Sequence, residues 1–319
     1  MAKNFWAKLE KPIIALAPMA GINDIAFREI CAKFGADVLY SEMASATALT
    51  RNPGKTLKML AHRKIKQPYV VQLFGHHPEH FKVAAQIIEK EIKPQGIDIN
   101  FGCPANKVLK QGAGAVLMED KKQAREIIKA TIESTSLPVS IKTRIKVGDV
   151  TILDFIDYIS DLDVKAIMIH GRSLTQGFVG EIEYEVIRQV KEKFPGVVLA
   201  NGGINDLKQA RKTLKLTNVD GLGIARGAMG KPWIFQEIKG KESNYDFNDI
   251  VKVALEHSKL ACKYKKDFGP KEMRKHLSWY IQGQPGAREV RQALVKVETL
   301  KDIESIFKNY DSIHRYNQS

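Results

Sequence analysis

The sequence predicts an α/β protein, a (β/α)8 TIM barrel followed by an all-α helical domain. Within about the first 240 residues, eight short apolar or β-branched runs alternate with segments of helical period. The runs are apolar throughout rather than alternating, which is typical of parallel strands covered on both faces. From residue 241 onward no run has strand character, and apolar residues recur at helical spacing. We therefore predict a barrel domain over 1–240 and a helical domain over 241–319.

The eight runs give the predicted strands in chain order. They lie at 13–18, 38–42, 69–75, 96–104, 138–144, 166–172, 197–203 and 219–227. Residues 24–35 have the pattern of an amphipathic helix that ends at Gly35, and the helix after the third run aligns Phe81, Ala84, Ala85 and Ile88. The alternative is an open, doubly wound sheet. Such a sheet normally carries a phosphate-binding loop after its first strand, and residues 20–24 (AGIND) match one poorly.

The predicted helical domain is divided by two breaks. Pro270 and the turn at 282–286 (QGQPG) separate it into roughly three helices. The apolar positions that would face the barrel recur at helical spacing on both sides of these breaks. They are Phe247, Ile250, Val251, Ala254, Ala261, Val290, Leu294, Val297, Leu300 and Phe307.

Composition narrows the class of protein. The chain has 319 residues, 44% hydrophobic and 27% charged, as expected of a globular protein rather than a disordered or fibrous one. Three cysteines exclude a disulfide scaffold and fit a reducing compartment, and the first residues lack the apolar core of a signal peptide. We expect a cytoplasmic protein with no membrane span. Its net charge of +14 predicts attraction to polyanions, nucleic acid first.

Polar side chains follow almost every predicted strand. The carboxyl ends of the strands form the mouth of a barrel, where such enzymes bind their ligands. This pattern predicts a polar ligand at the mouth, because ordinary surface polarity would scatter such residues over both ends. The residues concerned are Pro18, Met19, Ala20, Glu42, Gln72, Asn100, Cys103, Lys142, Arg144, His170, Arg172, Asn201, Gly202, Gly203, Ala225, Arg226 and Gly227.

The last two strand ends have the form of a phosphate site. Residues 201–206 (NGGIND) and 223–230 (GIARGAMG) are glycine-rich turns that precede helices, and Arg226 provides a cation. Barrels of this kind commonly bind phosphate after their last two strands. The alternative is two ordinary strand-to-helix turns that need glycine.

Cys103 is the candidate reactive thiol. It lies in a Gly/Pro loop after the fourth strand, three residues after Asn100, and a thiol there acts either as a general acid or as a nucleophile. An inert buried thiol is the alternative, and Cys31 and Cys262 fit that description. Lys142 ends an apolar strand, so it either reaches solvent or faces an anion such as a reduced flavin. His170 is either a ligand contact or a structural histidine. No spacing predicts a metal site.

A series of motifs occurs in order along the barrel and continues into the tail. They are PMAGINDIAFR (18–28), SEM (41–43), VVQLFG (70–75), DINFGCP (98–104), GAGAVLM (112–118), IKTR (141–144), IHGR (169–172), NGGI (201–204), ARGAMGKPWIF (225–235) and EMRKHLSWYIQGQPGAREVR (272–291). Together these segments resemble the tRNA-dihydrouridine synthases, and most closely the bacterial branch.

The resemblance implies an FMN-dependent oxidoreductase that uses NADPH and reduces the 5,6 double bond of specific uridines in tRNA. It implies that Cys103 is the active-site acid, supplying the proton while reduced FMN supplies the hydride, and that Asn100 contacts uracil. We add Arg144 and Arg172 as substrate contacts. One departure is Ala225, where the family often has glycine; its methyl is tolerable if φ is negative. The implied FMN contacts are Pro18, Met19, Ala20, Gln72, Lys142, His170, Asn201, Gly202, Gly203, Ala225 and Arg226.

The tail is the predicted tRNA-binding domain. Seven basic residues against two acidic ones lie between Lys259 and Lys275, and we assign RNA contacts to Lys263 and Lys266. A solvated helix face is the alternative. Two other functions remain open. One is an FMN barrel that acts on a free pyrimidine, which needs neither the tail nor the basic charge; the other is an RNA-binding protein with an inactive barrel. We expect a monomer with no obligate protein partner.

Overall fold

Eight parallel strands close into a barrel in the computed structural model, which describes residues 4–63, 65–241 and 244–316, from residue 310 on as backbone only. Around the barrel the order is β1-β2-β3-β4-β5-β8-β9-β10, and β10 pairs with β1. The predicted fold class is confirmed. The strands are β1 (Ile13–Leu16), β2 (Val38–Ser45), β3 (Tyr69–Phe74), β4 (Gly96–Phe101), β5 (Val139–Arg144), β6 (Lys146–Val147), β7 (Val150–Thr151), β8 (Ala166–His170), β9 (Val197–Asn201) and β10 (Gly221–Ile224).

Strand register brings the polar strand ends together. Asn100 on β4 lies beside Lys142 on β5, and Arg144 lies beside His170 on β8. Next along the barrel, His170 pairs with Asn201 on β9. Because all eight strands are parallel, these side chains meet at one end of the barrel.

Helices cover the outside of the barrel. Each predicted helical segment of the barrel contains one, and α1 begins where Asp24 Oδ1 accepts a hydrogen bond from the Phe27 amide at 2.8 Å. The helices of the barrel region are α1 (Ile25–Lys33), α2 (Ala46–Arg51), α3 (Pro53–Leu60), α4 (Pro78–Ile87), α5 (Asn106–Leu109), α6 (Lys121–Ile132), α7 (Ile152–Tyr158), α8 (Tyr184–Lys193), α9 (Leu207–Thr217) and α10 (Ile234–Ile238).

The tail contains four α-helices in the described residues, not roughly three. They are α11 (Phe247–Lys265), α12 (Gly269–Tyr280), α13 (Ala287–Leu294) and α14 (Leu300–Tyr316). The unforeseen break follows Leu294. There Thr299 Oγ1 accepts from the Asp302 amide at 3.2 Å, and the Asp302 carboxylate accepts from the Thr299 amide at 2.8 Å. This reciprocal cap starts a new helix without proline or glycine. The hairpin β6–β7 is a second element that strand periodicity did not predict.

The tail packs against α1 through ion pairs and a buried aromatic cluster. Lys265 on α11 lies 2.8 Å from Asp24, and the Tyr264 hydroxyl donates to Glu29. Beside them, His257 and His276 are buried with ring centroids 4.7 Å apart. These contacts join the barrel and the tail, while the boundary at 240/241 between two domains stays a prediction. No helix in the described ranges is both long enough and apolar enough to cross a bilayer.

The two buried histidines predict a loss of stability in acid. Burial lowers the pKa of His257 to about 4 and lowers that of His276 well below 6.5. As pH falls below 6.5 the unfolded chain binds protons that the folded chain does not. The free energy of unfolding therefore decreases by up to ~1.4 kcal/mol per pH unit for each histidine. We expect His276→Phe to make this decrease shallower, measured as urea midpoints between pH 7.5 and 5.

His276→Phe is a suitable replacement because neither ring nitrogen has a hydrogen-bond partner in the part of the chain described, so no bond is lost at neutral pH. His77→Phe is the matched control, since His77 is exposed. It should leave the pH dependence unchanged. An unaltered slope in His276→Phe would contradict the prediction.

Candidate active site

A cleft of about 580 Å³ opens at the carboxyl end of the barrel strands. It brings together the predicted site residues other than Glu42 and the two tail lysines, Lys263 and Lys266, whereas the roles of all these residues stay predictions. The residues that it collects are Pro18, Met19, Ala20, Gln72, Asn100, Cys103, Lys142, Arg144, His170, Arg172, Asn201, Gly202, Gly203, Ala225 and Arg226.

The cleft is strongly cationic. Lys142, Arg144, Arg172 and Arg226 all line it, and none of its described lining residues is acidic. His170 lies among these cations. Burial and then the four positive charges lower the pKa of His170 to about 2, so its ring is neutral at physiological pH. Such a concentration of positive charge is suited to a ligand with more than one negative charge.

Two glycines form a cradle at the end of β9. Gly202 has φ +107° and Gly203 has φ +68°, both in the left-handed region that favours glycine. A Cβ atom on Gly202 would lie 2.5 Å from Cδ2 of His170. Nearby, Ala225 has φ −109°, so its methyl group causes no strain. The positive φ of both residues and the close packing of Gly202 against His170 therefore require glycine in this turn, whose backbone borders the cleft.

Lys142 lines the cleft on β5, the strand that pairs with β4, which carries the buried carboxylate of Asp98. Burial, followed by the charge of Arg144, lowers the pKa of Lys142 to about 8, and Asp98 opposes that shift. Asp98 is fully buried on β4 and accepts hydrogen bonds from Gln72 Nε2 and Ser140 Oγ. Asp98 was not predicted from the sequence as a site residue. A charged residue inside an otherwise apolar strand was the signal available.

Cys103 lies on a loop that is fixed by hydrogen bonds. Asn100 Oδ1 accepts from the Gly102 and Cys103 amides at 3.0 and 2.9 Å, and Arg144 Nε donates to the Gly102 carbonyl at 2.9 Å. The Cys103 carbonyl accepts from the Ala115 amide at 3.1 Å. Cys103 is partly exposed and lines the cleft. This arrangement presents a thiol at a defined position in the cleft.

The other two cysteines lie away from the cleft. Cys31 is buried in α1, and burial raises its pKa well above 9. Cys262 lies on α11, where burial also raises the pKa of its thiol. Neither is among the residues that line the cleft. Cys103 is thus the cysteine positioned for chemistry there.

Two arginines of the cleft hold the loop between β8 and α8. Arg144 Nη1 donates to the Ser173 and Gly177 carbonyls, each at 2.9 Å, and Arg172 Nε donates to the Gly180 carbonyl at 2.8 Å. The loop carries Phe178, which lies over the guanidinium groups of Arg144 and Arg226 at 5.6 and 5.0 Å. Phe178 lines the cleft and was also not predicted from the sequence as a site residue. Part of the hydrogen-bonding capacity of both arginines is therefore used within the protein.

The seven basic residues of the tail fall into two groups. Lys265, Lys271 and Arg274 form ion pairs with Asp24, Glu272 or Glu298, and Lys275 donates to the Gly21 carbonyl. Lys259, Lys263 and Lys266 are exposed and form no ion pair within residues 4–63, 65–241 and 244–316. Phe268 lies beside them and is 72% exposed. The run is therefore not one solvated surface, because four of its seven members have structural partners.

Comparison with protein families and curated proteins gives a consistent result. A family model described as "Dihydrouridine synthase (Dus)" matches residues 15–314. The tRNA-dihydrouridine synthase B of Pseudomonas aeruginosa is 35% identical over 290 residues, 87% of this chain and 86% of that protein. The protein of the same name from Vibrio cholerae is 34% identical over 312 residues, 94% and 97% of the two chains. A probable tRNA-dihydrouridine synthase of Rickettsia conorii is 33% identical over 316 residues, 96% and 95% of the two chains.

Among solved structures, the fold is similar to that of 6-hydroxypseudooxynicotine amine oxidase from Pseudomonas geniculata N1. The two share 13% identity with a TM-score of 0.54, over 72% of this chain and 47% of that chain. At this identity the likeness concerns the barrel fold alone.

Proposed function

The chain belongs to the dihydrouridine synthase family, and on that premise we propose that it reduces the 5,6 double bond of specific uridines in tRNA, with FMN as cofactor and NADPH as reductant. One observation carries the proposal: a cleft lined by four cations, with no acidic residue among its described lining. FMN carries a phosphate dianion and a ring that becomes anionic on reduction. A cluster of cations stabilises both charges.

The residues present fit this cofactor. Gly202, Gly203 and Arg226, which line the cleft together, offer backbone amides and a guanidinium to the phosphate. Lys142 offers a positive charge to the reduced ring, and Gln72 lines the cleft beside it. His170, neutral at physiological pH, adds a donor or acceptor without adding a charge. The remaining predicted contacts (Pro18, Met19, Ala20, Asn201 and Ala225) shape the wall of the cleft.

In the proposed reaction two hydrogens are added to uracil. When bound, FMN supplies the hydride for carbon 6. The Cys103 thiol donates a proton to carbon 5 from the opposite face and later takes a proton back from water, so that charge balances. Reaching the cleft requires that the uridine leave its stack in the RNA, and Arg144 and Arg172 are positioned to contact it there.

The experiment for this function uses purified protein, NADPH and unmodified tRNA transcripts. We expect flavin absorption in the isolated protein, oxidation of NADPH, and a mass increase of two hydrogens at specific uridines. Free uridine and orotate should not be reduced, because they lack the RNA body that the tail would hold. Reduction of a free pyrimidine, or flavin absorption with no product on any tRNA, would contradict the proposal.

We propose that the exposed part of the tail binds the RNA. Lys259, Lys263 and Lys266 carry charge that no ion pair compensates in the described residues, and Phe268 adds an exposed aromatic ring. Basic residues next to an exposed aromatic ring are suited to a phosphate backbone with an unpaired base. A tRNA substrate also implies a cytoplasmic protein, and we propose that it acts as a monomer.

Replacing Lys263 and Lys266 by glutamine tests this surface. Each lost phosphate contact should reduce the slope of log K against log salt by roughly 0.7–0.9 in magnitude, so the double variant should bind tRNA more weakly and with less salt dependence. Flavin content and NADPH oxidation should not change, because both lysines lie outside the cleft. The measurement is tRNA affinity at several salt concentrations.

The matched control removes two charges elsewhere. Lys129 and Lys215 lie in the last turns of α6 and α9. These helices run antiparallel to the barrel strands, so their last turns lie at the amino ends of the strands, opposite the cleft. Lys129→Gln with Lys215→Gln should leave the salt slope near that of the wild type. Equal slopes for both double variants would show that the RNA does not contact Lys263 and Lys266.

A further inference from the structure

Asp98 is a buried carboxylate for which the proposed reaction gives no role. Its side chain is 0% exposed. One carboxylate oxygen accepts from Gln72 Nε2 at 2.8 Å, and the other accepts from Ser140 Oγ at 2.7 Å. Burying a carboxylate is costly unless its hydrogen bonds are satisfied. The position therefore needs an explanation.

A chain of hydrogen bonds runs from Asp98 to the loop that carries Cys103. Gln72 Oε1 accepts from Asn100 Nδ2 at 3.1 Å. Asn100 Oδ1 then accepts from the Gly102 and Cys103 amides at 3.0 and 2.9 Å. Three consecutive links, the last of them a pair of hydrogen bonds, thus connect Asp98 with the backbone that carries the thiol.

The groups at the two ends of this chain determine which group donates and which accepts in each of its hydrogen bonds. Burial raises the pKa of Asp98 to about 6, against the opposing effects of Gln72, Ser140 and Lys142, so at pH 7 and above the carboxylate is mainly ionised and accepts only. Gln72 must therefore present its NH2 group to Asp98 and its oxygen to Asn100. At the other end the backbone amides donate only. When the NH2 group of Gln72 faces Asp98 and the NH2 group of Asn100 faces Gln72, every hydrogen bond of the chain has one donor and one acceptor.

Asn100 has no hydrogen-bonding capacity left over. Its NH2 group donates to Gln72 Oε1 and contacts Met43 Sδ at 3.4 Å, while its oxygen accepts twice. A carboxamide offers two donors and two acceptor positions, and the protein occupies all four. In this arrangement Asn100 holds the loop, whereas contact with uracil would require it to give up one of these bonds.

We propose that Asp98 is a positioning residue, which acts through the amides of Gln72 and Asn100 to fix the Gly102–Cys103 backbone and the direction in which the Cys103 thiol enters the cleft. Only the use of that thiol as an acid rests on the proposed function. The hydrogen-bond chain itself is a property of the folded protein. Arg144 and Ala115 hold the same loop from other sides, so loss of the chain loosens the loop rather than unfolding it.

The test is hydrogen exchange at the Gly102 and Cys103 amides of the full-length protein, without tRNA or NADPH. Asp98→Leu removes the acceptor at the start of the chain, and Gln72→Met interrupts its middle. Each should accelerate exchange at these amides by about tenfold, as expected for the loss of one net hydrogen bond. Asp98→Asn should exchange like the wild type, because its oxygen accepts from Gln72 while its NH2 group donates to Ser140.

Thr143→Val is the matched control for general loosening. Thr143 is buried on the neighbouring strand β5, and its hydroxyl has no partner in the described residues. Exchange at Gly102 and Cys103 should not change in this variant. In activity assays, Asp98→Leu should lower kcat at an unchanged KM for tRNA, and Asp98→Asn should restore it.

Unchanged exchange in Asp98→Leu would overturn the proposal, as would equal acceleration in Thr143→Val. If Asp98→Leu does not fold, Gln72→Met decides by the same measurement. A wild-type protein that makes no dihydrouridine would contradict the proposed function yet leave the exchange result, and therefore this inference, intact.

Discussion

Cys103→Ala is expected to lower dihydrouridine formation by about 10²-fold or more, the range for loss of a general acid. The thiol of Cys103 lies on the fixed loop and lines the cleft, and the methyl group of alanine cannot donate a proton. Flavin content and NADPH oxidation should remain, since neither process needs the thiol. Single-turnover product formation from pre-reduced protein and tRNA measures the chemical step directly.

Cys31→Ala and Cys262→Ala are the controls for this prediction. Both cysteines lie outside the residues that line the cleft, and Cys31 is fully buried, so its replacement affects packing alone. Activity per folded, flavin-containing molecule should stay at the wild-type value in both variants. Near-normal single-turnover product formation by Cys103→Ala would remove Cys103 from the role of acid.

The barrel was predictable because its signals are local and repeated. Continuous apolar runs followed by helical periods indicate parallel strands covered by helices, and the polar residues after each run then necessarily meet at one end. Position in the chain was therefore enough to predict that Cys103, Lys142 and Arg226 share a cleft. It was not enough to give their roles, because a role depends on which partners a side chain meets.

The partners come from segments distant in the sequence. Gln72 meets Asp98, Lys265 meets Asp24, and Arg144 meets the carbonyl of Gly177, in each case across separate elements. No periodicity in the sequence encodes such pairings. For this reason the sequence did not show which of the basic residues of the tail have structural partners: ion pairs hold Lys265 against Asp24, and hold Lys271 and Arg274 against Glu298. The break at Thr299 was missed for a related reason, since a reciprocal side-chain cap leaves only a weak signal.

Lys142→Met is expected to weaken FMN binding by about 10- to 100-fold, the range for loss of a hydrogen bond to a charged group. It should also lower the flavin midpoint potential by at least ~30 mV, because a tenfold preference for the reduced form corresponds to that shift in a two-electron couple. The physical reason is that Lys142 supplies a cation that lines the cleft, where partial burial strengthens its interaction with an anion.

The pKa of Lys142 also predicts the direction in which the affinity for the flavin changes with pH. The pKa of Lys142 in the free protein is about 8, lowered by burial and by Arg144. Below that pH the lysine already carries its charge; above it, binding an anion requires uptake of a proton. The affinity of the apoprotein for reduced FMN, whose ring is anionic, should therefore fall as pH rises above 8, by up to tenfold per unit, and Lys142→Met should abolish that fall.

Lys146→Met is the matched control, because Lys146 is exposed just beyond the same strand and is not among the residues that line the cleft. It removes the same charge and creates the same side chain. Affinity, potential and pH profile should all match the wild type. If Lys142→Met also matches the wild type in these three measurements, the cation that stabilises the reduced flavin must come from an arginine of the cleft, and Lys142 then serves as the counter-charge to Asp98 alone.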